Sequence, residues 1–465
     1  MDGGSDDARG ARRVGGIPRD READGTLALL REGYAFVGNR CRRNGADAFR
    51  TRLMLRPVVC MSGPEAARVF YGAERFTRRR AMPLTTLKLL QDKGSVQQLE
   101  GEAHRVRKAM FTRMLDAEAD RRLAGRVEEA MRRRIPEWAA RGRFPLLGAM
   151  REAICRAVCD EAGVPLAERD VPRRAAELGA LVDGAGSVGV RALVGLARRD
   201  AAERWARSLV DAGRARTMPL AKGTMLRAIL DHRDADGSRL SPDAAVVELL
   251  NVLRPAVAVA NFAVFAAKAL HEQPRWRDRL AAGDAADLRD FVQEVRRTAP
   301  FFPFVAGRVA EPFEWRGHVF RRGAWTIFDV WGTGRDPRIW DEPDAFRPER
   351  HRGRRPDPFD MVAQGAGDVR TGHRCPGEDA TVAVTAAAVR VLVSAMDWRV
   401  AADQDLSVRL DRIPAMPEGG LVIEGVRAKE APARRPAGAE AVGAADRPRA
   451  PAAGTAAKPR RRRQR

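Results

Sequence analysis

Thr371-Gly372-His373-Arg374-Cys375-Pro376-Gly377-Glu378 sets one cysteine in a glycine-bounded, basic turn directly ahead of an apolar run with helical character. A thiolate at a helix N-terminus is stabilised by free backbone N–H groups and by the positive end of the helix dipole, and His373 and Arg374 add positive charge. Pro376 and Gly377 let the backbone turn sharply beneath a flat group. We read Cys375 as a ligand for iron. A buried structural cysteine is the other reading that the residue alone permits.

The chain has 465 residues, enough for one large core or several smaller domains, and 45% of them are hydrophobic, as a globular protein requires. Lys and Arg outnumber Asp and Glu by 84 to 62, a net charge of +22. Twelve basic and three acidic residues lie between Arg427 and Arg465, so this stretch alone carries +9. Residues 427–465 therefore read as a basic, disordered tail, too poor in large apolar side chains to fold by itself. Residues 1–24 also read as disordered. They lack the apolar core of a secretory signal, which points to the cytoplasm. Five cysteines, an odd number, agree with reduced thiols there, and Cys155 and Cys159 have no zinc-site spacing and read as core.

Between the two ends, residues 25–426 read as one domain, mainly α with small β-sheets. Residues 34–81 mix short strands, 49–55 and 57–61, with a helix over Pro64–Tyr71. Residues 103–115 have helical periodicity and a very basic face, either solvated or a clamp for a ligand carrying carboxylates. Ala- and Arg-rich helices are expected over 117–235, broken at Pro136, Pro145, Pro165, Pro172 and 184–189. Ser241-Pro242-Asp243 supplies an N-cap, a first-turn proline and an acidic first turn, opening a long central helix that reaches about Glu272. Its longest uncharged run, 255–267, is shorter than the ~20 residues of a membrane span, so it is expected to be buried in protein. Short strands follow at 317–320 and 325–330, then a helix at 380–396 and closing strands to about residue 425.

Arg254 and Pro255 both break the local rule of the central helix. Arg254 sits in an apolar run and needs an anion, because an unpaired buried charge costs several kcal/mol. Pro255 leaves the carbonyl of Asn251 without its donor. An internal salt bridge, to Glu248 for example, satisfies Arg254; so does a ligand carboxylate held in a bidentate fork. Glu294 and Arg297 lie at i, i+3 near a helix end, a spacing common in surface pairs. Phe301 and Phe302, in a proline-bounded aromatic segment, suit an apolar pocket or the core equally.

The Glu294/Arg297 pair, the Phe346-Arg347-Pro348-Glu349-Arg350 loop and the Cys375-Pro376-Gly377 turn, in that order, resemble a cytochrome P-450. The resemblance spans residues 34 to about 425. It is closer to the bacterial fatty-acid peroxygenases, because Arg254-Pro255 stands where ordinary members of the superfamily place an acid–alcohol pair. Asp368, where the usual phenylalanine would stand, and the preceding Gln364-Gly365-Ala366-Gly367 also resemble the peroxygenase version.

What the resemblance implies is a cytochrome P-450 fold, with a long central helix over haem b and a thiolate loop beneath it. Cys375 would be the proximal ligand of the iron, with Arg78, His104, Lys108 and Arg374 neutralising the propionates. Glu294, Arg297 and Arg350 would form a buried network holding the cysteine loop. Arg254, followed by Pro255, would hold a substrate carboxylate that takes up and returns the proton needed for peroxide cleavage, and Phe301 and Phe302 would line the substrate pocket. Gln97 matches a residue over the haem where glutamine goes with hydroxylation and histidine with alkene-forming decarboxylation; a surface-loop glutamine is the alternative. Gln91 departs from the aromatic residue those relatives carry nearby. The implied reaction is hydroxylation of a long-chain fatty acid at the α or β carbon by hydrogen peroxide, with no obligatory redox partner, specific nucleic acid or membrane span. Decarboxylation to a terminal alkene is the alternative outcome at the same site. A ferredoxin-dependent monooxygenase and a polyanion-binding protein without turnover are the rival readings, the second suggested only by the charge and the Arg460-Arg461-Arg462-Arg463 run.

Overall fold

The computed structural model describes residues 16–72, 74–355 and 357–429. The N-terminal segment expected to be disordered divides. Residues 1–15 lie outside the described residues, whereas Ile17 is buried and Asp20 accepts from Nε of the wholly buried Arg40 at 2.7 Å. A guanidinium out of water needs such a partner, so order begins before residue 24. The tail boundary shifts as well. Val422–Ala428 is a strand in which Arg427 and Ala428 still pair with Asp397 and Met396, past an irregularity after Glu424. Residues 430–465 lie outside the described residues.

A mixed sheet forms one side of the molecule, its strands ordered Ala48–Leu53, Arg56–Met61, Trp325–Asp329, Phe304–Val309 and Phe76–Thr77. In the first strand Phe49, Thr51 and Leu53 point inward while Arg50 and Arg52 are exposed, the alternation that commits one face to a core. The first two strands are joined by a two-residue turn, Met54 and Leu55, with φ of 52° and 61°. Both central residues of such a turn need positive φ, which Asn and Gly usually supply; a bulky side chain there costs about 1–2 kcal/mol. Thr26 Oγ1 and Asp24 Oδ2 hold the turn by accepting from Met54 N at 2.6 Å and Leu55 N at 2.7 Å.

The helical side shares one continuous apolar core, built from Ala117–Arg141, Leu146–Ala162, Val190–Ala215, the central helix and Glu378–Ser394 among others. Pro136 does not break its helix as the sequence suggested. It lies inside Ala117–Arg141 on the exposed side, where water can satisfy the carbonyl that its missing N–H leaves. Pro145 and Pro172 occupy helix starts instead.

The central helix opens with Ser241 Oγ accepting from Ala244 N at 3.1 Å and runs Pro242–Ala258, then Ala260–Glu272. The two halves meet at Val259, whose N–H reaches back three residues to Ala256 O at 3.0 Å, a local 3₁₀ tightening after Pro255. The span is long and apolar enough to cross a membrane, yet 83% of its apolar window is buried inside the protein, as a core helix requires.

At the end of Ala285–Thr298, Glu294 is wholly buried and accepts from Arg297 Nη2 at 2.7 Å and Arg347 N at 2.8 Å. Arg350 Nε at 3.2 Å and His351 Nε2 at 2.9 Å complete the ring. Arg297 also donates to the carbonyls of Gly334 at 3.0 Å and Pro343 at 2.7 Å. The network thus grips the 334–351 loop, and not the cysteine loop that the sequence reading gave it. Glu294→Ala leaves the guanidinia of Arg297 and Arg350 facing one another in the interior. It is expected to destabilise the fold by about 3–5 kcal/mol, read as a lower urea midpoint with an unchanged m-value.

Candidate active site

A largely apolar cavity of about 330 Å³ lies between the central helix and the Cys375 turn, and Gln97, Arg254, Phe301 and Phe302 line it together with Cys375. The turn takes its shape from hydrogen bonds on three sides. Cys375 N donates to Gln364 O at 2.9 Å. The side chain of Gln364 bridges Thr381 Oγ1, at 2.9 Å, and Arg296 Nε, at 3.1 Å. Arg296 Nη2 and Arg374 Nε each donate to Glu378, both at 2.7 Å. Gly365, at φ 92°, allows a close approach: a Cβ there would lie 3.1 Å from Arg374 Cα.

Lys108 Nζ donates to the carbonyls of Gly372, at 3.0 Å, and Arg374. Burial lowers its pKa to about 8, against the pull of Cys375 and Asp368. Lys108 and Arg374, implied as propionate partners, are therefore engaged by the turn itself. Arg78 differs. Its buried guanidinium lies 4.2 Å from the Phe70 ring centre and leaves Nη1 without a partner. His104 and His373 stack at 4.4 Å, and burial, His373 and Lys108 bring His104 down to about 4, so it is a neutral imidazole at physiological pH. Burial pushes the Cys375 thiol up, opposed by the Gly377 N–H and by Lys108 and Arg296. A thiol under an apolar slot, with an orphaned guanidinium and neutral imidazoles at the edge, fits haem b: iron for the sulfur, a flat apolar ring for the slot, acidic groups for Arg78.

Across the cavity, Arg254 is buried and its hydrogen bonds go to neutral acceptors, Leu89 O at 3.3 Å and Asn251 Oδ1 at 3.2 Å. No carboxylate among the described residues pairs with it. Burial and the nearby Arg199 push its pKa below the ordinary guanidinium range. The salt bridge to Glu248 does not form, because Glu248 is held by Arg107 Nη1 at 2.6 Å, Val96 N at 2.8 Å and Asn251 Nδ2 at 2.9 Å. Gln97 Oε1 lies 3.4 Å from the same Asn251 amide.

Phe301 packs on Phe262 at 5.1 Å and on Phe302 at 4.4 Å, and Tyr34 Oη fixes this segment by donating to Pro300 O at 2.7 Å. Gln91 lines the cavity and accepts from Gln98 Nε2 at 2.6 Å, so the wall beside Arg254 carries an amide. Sequence reasoning missed Asn251, Glu248 as partner of Arg107, and the Arg296–Gln364–Glu378 clamp. Asn251 alone left a signal, since it stands one helical turn before Arg254 on the same face.

Residues 288–392 match the family Cytochrome P-450. Among solved structures, cytochrome P450SP alpha in complex with (R)-ibuprophen is 41% identical with a TM-score of 0.85, covering 87% of this chain and 99% of that one. Cytochrome P450EX alpha with myristic acid is 36% identical with a TM-score of 0.84, covering 89% and 99%. A variant of OleT in complex with arachidonic acid is 27% identical with a TM-score of 0.85, also covering 89% and 99%. The 2-hydroxyisoflavanone synthase of Glycyrrhiza echinata is 32% identical over 147 residues, 28% of this chain, and the matched stretch spans 26% of that curated relative. Cys375→Ser should abolish the red-shifted Soret band of the ferrous carbon monoxide complex, while Cys155→Ser should keep it. The opposite pattern would move the ligand to another cysteine.

Proposed function

The chain belongs to the bacterial fatty-acid peroxygenase family of the cytochromes P-450, and we propose that it uses hydrogen peroxide to hydroxylate long-chain fatty acids at the α or β carbon. The observation that carries this reading is Arg254: a buried guanidinium with neutral partners alone, facing the apolar cavity that Cys375 closes from below. Such a cation gains most from a ligand carboxylate in a bidentate fork, and the apolar lining suits the alkyl chain behind it. The fatty acids in the P450EX alpha and OleT complexes support the same substrate class here.

Haem b, held through the Cys375 thiolate, supplies the iron chemistry that divides the peroxide bond and oxidises a C–H bond. The chain's own residues do the rest. Arg254 anchors the carboxylate and keeps it where it can accept and return the proton that peroxide cleavage requires. Asn251, oriented by Glu248, steadies Arg254 through Oδ1 and reaches Gln97 through Nδ2. Gln97 is an amide and carries no titrating proton at this wall, which favours hydroxy acids over terminal alkenes. Phe301 and Phe302 keep water from the alkyl chain. No redox partner is required in this reading, and the free cysteines suit a reducing cytoplasm.

The test is incubation of the purified protein with a long-chain fatty acid and hydrogen peroxide, without reductase, followed by product analysis. Hydroxylation next to the carboxylate is expected, since anchoring there brings the first methylenes over the iron. Arg254→Ala should lower fatty-acid turnover by roughly a hundredfold or more, with the thiolate spectrum intact. The methyl ester should be a poor substrate. Oxidation at the far end of the chain, or normal turnover by Arg254→Ala, would sink the proposal.

A further inference from the structure

Leu89 O, one of the two acceptors that hold Arg254, belongs to the short helix Leu84–Leu90, and that helix is fastened by charge. Lys88 Nζ donates to Asp92 Oδ2 at 2.7 Å, in the turn after the helix, and to Glu203 Oε1 at 2.8 Å on Val190–Ala215. Arg199, one turn before Glu203, donates to the same two acids, from Nε to Glu203 at 2.7 Å and from Nη2 to Asp92 at 3.3 Å. Leu89 itself is buried with Leu181 and Ala185, and a Cβ at Gly195, one turn before Arg199, would meet its Cδ1 at 3.3 Å. Val190–Ala215 packs on the central helix as well. Two cations and two acids thus sit beside the element that orients Arg254.

The cluster is neutral in sum but not in its arrangement. The Arg199 side chain is 1% exposed, against 14% for Asp92, 24% for Glu203 and 39% for Lys88. The two acids and the lysine reach toward water, which screens them, while the guanidinium lies in the interior, where a charge acts at longer range. Pairing with Glu203 at i, i+4 does not require this depth, since such pairs form readily at the surface. Nor is the guanidinium fully used: Nη1 is buried without a hydrogen-bond partner among the described residues. Arg254 responds to it. After burial, repulsion by Arg199 is the largest cause that lowers the Arg254 pKa, and Glu248 pulls the other way. An anion set against Arg254 relieves that repulsion as well as filling the fork, so it gains from both cations.

We propose that Arg199 is a positioning residue for the substrate carboxylate: without lining the cavity, it supplies a second buried positive charge that strengthens the hold of Arg254 on an anion. Fastening of Leu84–Leu90 is shared among all four charged residues of the cluster, whereas this inward charge belongs to Arg199 alone. Selectivity for a free acid over its neutral ester is thereby set in part by a residue that the ligand never touches. The inference rests on the peroxygenase reading in one respect, that a carboxylate is the ligand of Arg254.

The test is equilibrium dialysis of the haem-loaded protein against myristic acid and, separately, against methyl myristate. Arg199→Met should weaken binding of the acid roughly tenfold and leave the ester unchanged. Arg199→Lys keeps the charge and should recover most of the loss. Glu203→Gln breaks the same ion pair but spares the inward charge, so it should bind the acid at least as tightly as the wild type does. Should Arg199→Met fail to fold, the double variant Arg199→Met, Glu203→Gln leaves a neutral Lys88–Asp92 pair and takes its place, with the same expected loss. The proposal is overturned if Arg199→Met and Glu203→Gln lose acid and ester alike, the mark of a fastening role alone. A wild type selective for the acid beside an Arg199 variant that binds it normally also overturns this inference, and leaves the peroxygenase reading standing. A wild type that binds the acid no better than the ester overturns the carboxylate reading of Arg254 and this inference with it.

Discussion

Glu378 is pinched between Arg296 and Arg374, 2.7 Å from a nitrogen of each, and the position of the cysteine depends on that pinch. An acid in the first turn of a helix is favoured by the helix dipole, but one this far from water must also be paired. Arg296 arrives from the end of Ala285–Thr298, while Arg374 is the residue before Cys375. The turn therefore cannot tilt without leaving a charge unpaired in the interior. Gln364 carries the restraint to the main chain through Cys375 N, and Lys108 closes it from the other side. The sulfur is thereby held at a fixed place on the cavity wall.

The opposite wall follows the reverse principle. Arg254 has no carboxylate partner among the described residues because the nearest acid on its own helix is occupied. Glu248, six residues earlier, would neutralise Arg254 if it were free, and Arg107 prevents this by holding it at 2.6 Å. Arg107 is tied in turn to Asp234. Asn251 spans the gap, donating to Glu248 and accepting from Arg254, so the guanidinium is oriented without being neutralised. Arg107, which does not line the cavity, thereby governs the charge balance around Arg254.

Much of this was legible because it is local. The Ser241 cap, the helix Pro64–Tyr71 and the basic turn around Cys375 are written in neighbouring residues, and the structure has them there. Arg254 was conspicuous as a charge in an apolar run. What stayed hidden was the choice of partner in a chain with 84 basic and 62 acidic residues. Arg107 lies 141 positions from Glu248, and Arg296 lies 82 from Glu378, so nothing in spacing singles either pair out. Lys108 read as a cation for carboxylates and instead binds two carbonyls, a use of the ammonium group that leaves no mark in sequence. Pro136 misled for a simpler reason: it lies on the exposed side of its helix, where the carbonyl it frees can reach water.

The ring around Glu294 also sets how the fold meets acid. Burial alone would raise its pKa, but Arg297, His351 and the Arg347 N–H overcome it and bring the carboxyl down to about 2. A carboxylate depressed in this way adds stability that is fully present above its unfolded value near 4.5 and fades as pH falls through about 2. The loop 334–351 is thus fastened by a joint that stays charged through mildly acidic conditions. Acid strong enough to open it would loosen this loop through the loss of one proton-sensitive oxygen pair, while the cysteine turn, clamped separately through Glu378, answers to a different titration.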